Sequence, residues 1–267
     1  MSEPSPAAAP FWKLALVLWL LGLVGAVLIL PYALALQQAA LAAASARSHL
    51  TVVQLLLVST AQTMVLLLAA VLAGLWASRK LGLAIPLLSA WLTRRPVPPD
   101  TGRTLLVALA IGLAVGLVLV VLDRFVFAAM LSVADVVKDA AGGGARPNAW
   151  QGLLASFYGA IDEEILMRLG QMSVLALGLR TVLRRRDVAL PSGVFWTANI
   201  LTAIVFGLGH LPATAALTPL TTALVVRAIV LNGVAGIVFG ALFRRYGLEW
   251  AMVSHFGADI VLHVLSA

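Results

Sequence analysis

Thirty-three consecutive residues, from Leu14 to Ala46, carry no charged side chain. A helix needs only about 20 apolar residues to cross roughly 30 Å of hydrocarbon, so this run predicts a membrane span. The rest of the chain repeats the pattern. Of its 267 residues 62% are hydrophobic and 11% charged, and the mean hydropathy is +1.03, where a soluble domain is about one quarter charged. These figures exclude an ordinary soluble domain and a disordered chain alike. There is no cysteine, which removes disulfides, thiolate nucleophiles and cysteine-bound metals. The expectation is an all-α polytopic transmembrane bundle of about seven spans.

The spans fall near residues 11–36, 52–78, 104–131, 152–183, 194–211, 217–243 and 248–265. Asp123 and Arg124 interrupt the far half of the third. Six of the seven tryptophans (Trp12, Trp76, Trp91, Trp150, Trp196, Trp250) lie near predicted span ends, as an interfacial aromatic belt requires. Residues 81–93, too short to cross and containing Pro86, should lie along the interface, followed by a turn at Pro96, Pro98 and Pro99. Gly142–Gly144 marks a loop before the fourth span.

Net charge is +7, and the loops distribute it unevenly. Lys13, Arg79, Lys80, Arg94, Arg95, Arg103, Arg180, Arg184, Arg185, Arg186, Arg244 and Arg245, 12 of 18 basic residues, fall on one side. Arg47, Arg124, Lys138 and Arg146 fall on the other. By the positive-inside rule, the N-terminus of a cell-membrane protein with this pattern faces the cytoplasm. Topology thus accounts for the excess of positive charge, and no nucleic-acid partner is expected. The partners expected are membrane lipid and a membrane-associated peptide or protein substrate.

Charge inside the spans carries the functional signal. Asp162, Glu163, Glu164 and Arg168 share one apolar segment, and on insertion scales of about 2.5–3.5 kcal/mol each they carry a nominal penalty of order 10 kcal/mol. Pairing, protonation or a wet cavity must offset that, which makes the cluster a functional-site candidate. Glu164 and Arg168 stand four apart with the acid first, the favoured order for an ion pair. Glu163, rotated about 100° from Glu164, lacks such a partner and should face a reaction centre. Asp162 should approach the outer water. In the last span His255, Asp259 and His263 repeat at i, i+4, i+8 and form one polar stripe; His210 ends the fifth span. Arg227, alone in the sixth, should neutralise an intramembrane acid, and His263 should be structural. Asn232 should bond between helices, and Gly233, Gly236 and Gly240 should permit close helix approach.

A carboxylate helix, a histidine helix and a histidine–aspartate helix together can hydrolyse: glutamate takes a proton from water, and imidazoles assist or donate to an oxyanion. Rival chemistries fit poorly. No His-Glu-x-x-His helix is present, Ser254 stands on the wrong face to be activated by His255, and Gly257-Ala-Asp259 only loosely matches an aspartyl framing.

Glu163-Glu164-x-x-x-Arg168, Phe206-x-x-x-His210 and His255-x-x-x-Asp259, in that order and each in an apolar span, resemble the CPBP family of intramembrane proteases. That family includes type II CAAX prenyl endopeptidases and proteins linked to bacteriocin self-immunity. The resemblance runs from about Trp150 to the C-terminus. It implies that Glu163 and His210 activate a water, that His255 and Asp259 line the oxyanion side, and that Glu164 and Arg168 support the site. Family members are described both as metalloproteases and as metal-free glutamate proteases. Glu163, His210, His255 and Asp259 are accordingly the candidate ligands should Zn2+ take part, since zinc accepts His nitrogen and carboxylate oxygen. Asp259 stands where the family has Asn or Asp: protonated it could donate to an oxyanion, ionised it would orient His255 or serve a metal.

The resulting expectation is an intramembrane endopeptidase, with N-terminal membrane helices and an interfacial segment over residues 1–103 and a catalytic core over 104–267. The alternative from another class is a non-enzymatic membrane scaffold or immunity-type protein that uses the same polar cluster to bind a partner.

Overall fold

The computed structural model describes residues 9–131, 147–185 and 190–266. The expected Gly142–Gly144 loop and the loop positions of Lys138, Arg146 and Arg186 lie outside them. The described residues are helical throughout, without strands: α1 (Phe11–Leu36, with a break at Ile29), α2 (Gln38–Ser48), α3 (Val52–Leu81), α4 (Pro86–Leu92), α5 (Thr101–Met130), α6 (Ala149–Val182), α7 (Ser192–Gly209), α8 (Leu211–Leu217) and α9 (Thr222–Tyr246). The last, α10, runs as Leu248–Asp259 and continues in π geometry as Ile260–Leu265.

Six helices among the described residues are long and apolar enough to cross a membrane. The seventh expected span, α10, is a continuous helix of spanning length, but it is not among those six. It carries Glu249, His255, Asp259 and His263, polar groups that a lone span could not bury and that a bundle interior can. The short amphipathic stretch after α3 forms α4, as its Pro86 at the first turn favours.

Local chemistry sets the ends. Thr51 and Gln54 form a reciprocal capping box at the start of α3, and Gly82, in the left-handed region at φ +71°, ends it. Gly247, at φ +116°, makes the hairpin from α9 into α10 and faces the Pro86 ring so closely that a Cβ would overlap it. There the Glu249 carboxylate accepts a hydrogen bond from the Leu88 backbone N–H (2.9 Å), and the Leu248 N–H donates to the Ala84 carbonyl (3.1 Å). The interfacial helix is thereby tied to the start of the histidine helix. Glu249 carries no signal in the sequence pattern, yet it is buried.

Inside the bundle α7 packs along α9, α5 along α10, and α3 against the second half of α6. In hydrocarbon such packing rests on close approach rather than on a hydrophobic drive. At Gly112 of α5 a Cβ would collide with the Ser254 carbonyl oxygen of α10, so the two backbones touch. One apolar core including Leu18, Leu67, Ile165, Leu169, Phe195 and Phe239 runs from α1 through α9. Residues on both sides of position 103 contribute to it.

Several expectations are corrected. Trp250 is buried and does not join the belt, whereas Trp12, Trp76, Trp91, Trp150 and Trp196 are exposed. Asn232 bonds the Ala228 carbonyl of its own helix (2.9 Å), not a neighbour. Gly236 and Gly240 do meet Ala203 and Asn199 of α7, but Gly233 faces open space.

Candidate active site

The interior of α6 departs from α geometry: Gly159–Glu163 and Ile165–Met172 are both π-helical, with Glu164 at the junction. Such insertions concentrate at functional sites, because they rotate side chains off the regular helical wheel. Here the departure spans the whole acidic motif and hands its residues to three different neighbours.

Glu164 points into the bundle and is fully buried, as is Arg168. Their charged groups stand 3.1 Å apart, the ion pair expected from the spacing. The pair has a third member that spacing could not reveal: Nδ1 of His255, on α10, lies 2.8 Å from the same Glu164 oxygen. Aromatic rings enclose the group. Phe239 stacks on the His255 ring at 4.6 Å, and the Arg168 guanidinium lies over Phe206 (4.8 Å) and Phe239 (5.5 Å). Cation–π contacts of this kind strengthen when desolvated. Phe206, the first residue of the Phe206-x-x-x-His210 motif, thus faces the buried cation.

Glu163 points the other way, toward both histidines. Its two carboxylate oxygens lie 4.0 Å from Nε2 of His210 and 3.7 Å from Nε2 of His255. The other ring nitrogens are occupied. His210 Nδ1 lies 2.8 Å from the Phe206 carbonyl, an oxygen that can only accept, so Nδ1 donates there and Nε2 is the ring nitrogen turned toward Glu163. His255 Nδ1 donates to Glu164, leaving its Nε2 facing Glu163 and Asp259. The exposure of these side chains is graded, from 38% at His210 through 21% at Glu163 to 6% at His255. The site is open at one end and sealed at the other.

Asp259 adds a second carboxylate, 3.7 Å from His255 Nε2 and 3.9 Å from His263 Nε2. Gly159 makes this possible, since a Cβ there would collide with one Asp259 oxygen and lie 3.2 Å from His255 Nε2. The other ring nitrogen of His263, Nδ1, lies 3.4 Å from the Tyr32 hydroxyl of α1. Ser254 is buried and has no hydrogen-bond partner among the described residues.

Two residues lie apart from this centre. Arg227 forms a two-pronged pair with Asp123 of α5, at 2.5 and 2.7 Å, so its acid is not one of the motif residues. Asp162 does not reach water, contrary to expectation. It is fully buried against α1, at Gly25, where a Cβ would overlap its carboxylate. Nothing in an apolar run marks one glycine as the socket for an acid on another helix.

As metal ligands, the four polar side chains have suitable donor types. Among the described residues no group of three or more His, Cys, Asp or Glu stands out as able to hold an ion.

Residues 145–261 match the family described as type II CAAX prenyl endopeptidase Rce1-like. The matched segment contains every residue of the cluster except Tyr32 and His263. No curated protein and no solved structure matches the chain.

Proposed function

We propose that this chain, whose residues 145–261 match the Rce1-like family of type II CAAX prenyl endopeptidases, cleaves a membrane-associated peptide with a water activated by Glu163. The observation that carries the reading is the gap between Glu163 and His210. At 4.0 Å it is too wide for a direct hydrogen bond and suited to one water that touches both, each leg near the normal length of about 2.8 Å. Glu163 takes the proton of that water as its oxygen attacks the peptide carbonyl, and later gives it to the leaving nitrogen. One C–O bond forms, one C–N bond breaks, and no covalent enzyme intermediate arises.

His210 orients the water through its Nε2 lone pair. His255, when doubly protonated, presents an Nε2–H to the developing oxyanion, with Glu164 and Arg168 fixing its ring from behind and Asp259 at its side. Preorganised donors aimed at developing charge are commonly the largest contribution in such sites. All these residues act from the protein's own side chains, and no step is assigned to a metal.

The test uses purified full-length protein in liposomes with membrane-anchored CAAX-type peptides. Wild-type protein should cleave them, and Glu163→Gln, close in shape but unable to take the proton, should lose roughly 10²–10⁴-fold in rate. Wild-type rates in Glu163→Gln would overturn the assignment of the base. A wild-type protein that cleaves none of the peptides yet retains a protein partner through the same cluster would favour the scaffold reading.

A further inference from the structure

Far from the polar cluster, α1, α3 and α4 enclose a cavity of about 550 Å³ at the basic face of the bundle, within the range of about 300–1,000 Å³ common for small-ligand sites. Its wall is mainly apolar, with Leu14, Leu75, Leu83 and Ile85 in its depth and the Pro96–Pro99 turn at its side. Two cations, Arg79 and Arg95, face it, and no acidic residue does. The hydroxyls of Ser78 and Thr93 are turned inward to the carbonyls of Leu75 and Ser89, which leaves the Ser89 hydroxyl and the two guanidinium groups as the side-chain donors that could meet a ligand; that of Arg79 also bonds the Ala9 carbonyl and lies over Phe11. Leu14 and Gly25, the α1 residue that abuts Asp162, are separated by about 16 Å along the helix, so this cavity is not part of the proposed active site.

The surroundings fix its depth. Each of the three helices that enclose it carries an exposed tryptophan: Trp12 on α1 (72%), Trp76 on α3 (52%) and Trp91 on α4 (66%). Indoles so exposed on membrane helices sit at headgroup level. A cavity that is apolar inside, doubly cationic and built by helices that each carry an exposed indole matches one chemistry, an alkyl chain carrying an anionic head. We infer that it binds an anionic phospholipid, with an acyl chain in the cavity and the phosphate held between Arg79 and Arg95. A planar guanidinium with five donors suits that phosphate better than an ammonium.

The test is lipid retention, independent of any protease activity. Full-length protein is reconstituted in nanodiscs of phosphatidylcholine and phosphatidylglycerol, extracted, and weighed by native mass spectrometry. Wild type should keep phosphatidylglycerol in preference to phosphatidylcholine. Each arginine near an anionic headgroup should contribute about fivefold, so Arg95→Gln should lower retention about fivefold and the Arg79→Gln/Arg95→Gln pair about thirtyfold. Arg79 also donates to the Ala9 carbonyl, so Arg95→Gln alone decides the question if the double variant fails to fold. Ala90→Phe, which fills the cavity, should lower retention with both arginines in place. Equal retention of the two lipids, no retention by wild type, or wild-type retention in Arg95→Gln would overturn the proposal. So would displacement by inorganic phosphate, which would reduce the site to a simple anion site.

Discussion

The closed and open ends of the polar cluster are built from neighbouring residues on opposite principles. At the closed end one Glu164 oxygen lies 3.1 Å from Arg168 and 2.8 Å from His255, sealed from solvent under Phe206 and Phe239. At the open end Glu163 stands 3.7–4.0 Å from both imidazoles and is partly exposed. The first arrangement holds a ring still through the Glu164–His255 hydrogen bond, although Glu164 Oε2 and the two terminal nitrogens of Arg168 have no hydrogen-bond partner among the described residues, a state that low dielectric makes costly. The second leaves room for a small molecule such as water between Glu163 and the imidazoles. In the proposed mechanism adjacent carboxylates on one helix thus divide support from chemistry, and the π geometry of α6 separates their directions.

The sharpest way to break this contrast is to change one carboxylate at a time. Glu163→Gln should remove proteolysis by roughly 10²–10⁴-fold while the thermal unfolding of the detergent-solubilised protein stays where it was. Arg168→Met should do the reverse first: it strands Glu164 in the interior and should cost about 3–5 kcal/mol of stability, read as a lowered unfolding midpoint. Activity would fall with the folded fraction. If Arg168→Met were as stable as wild type, the closed end would not be the support described here.

Much of this architecture is legible in the sequence alone. Apolar runs declare spans because the bilayer leaves the backbone few alternatives, and Glu164 with Arg168 stands out by its four-residue spacing. The partners that come from other helices are not legible. His255 on Glu164, Gly25 as a socket for Asp162, and Asp123 as the acid for Arg227 depend on rotation and depth that no single segment encodes. The π stretches of α6 also spoil the regular wheel of 100° per residue, so directions inferred from it hold only locally. Glu249 escapes notice because it begins a span, where an acid usually meets water; here α4 folds over it and supplies a backbone donor.

Smaller changes test how closely the open end is shaped. Gly159→Ala drives a methyl into the Asp259 carboxylate and to 3.2 Å from His255 Nε2, and overpacking of this kind costs about 1–3 kcal/mol. Because the clash falls on the reacting side, cleavage should drop further than the loss of folded protein explains. Gly233→Ala on α9 is the matched control: it meets nothing within 4 Å, and helix propensity alone should stabilise it by up to about 1 kcal/mol. Smaller still is Tyr32→Phe, which deletes one hydroxyl 3.4 Å from His263 Nδ1 and should cost about 0.5–1.5 kcal/mol at most. Its value lies in the direction of any activity change. Tyr32 belongs to α1, outside the segment that matches the family, and reaches Glu163 only through His263, Asp259 and His255. Unchanged turnover in Tyr32→Phe would mean that α1 supports the bundle without tuning the site; a fall in turnover at wild-type stability would mean that the polar stripe of α10 transmits its position to the base.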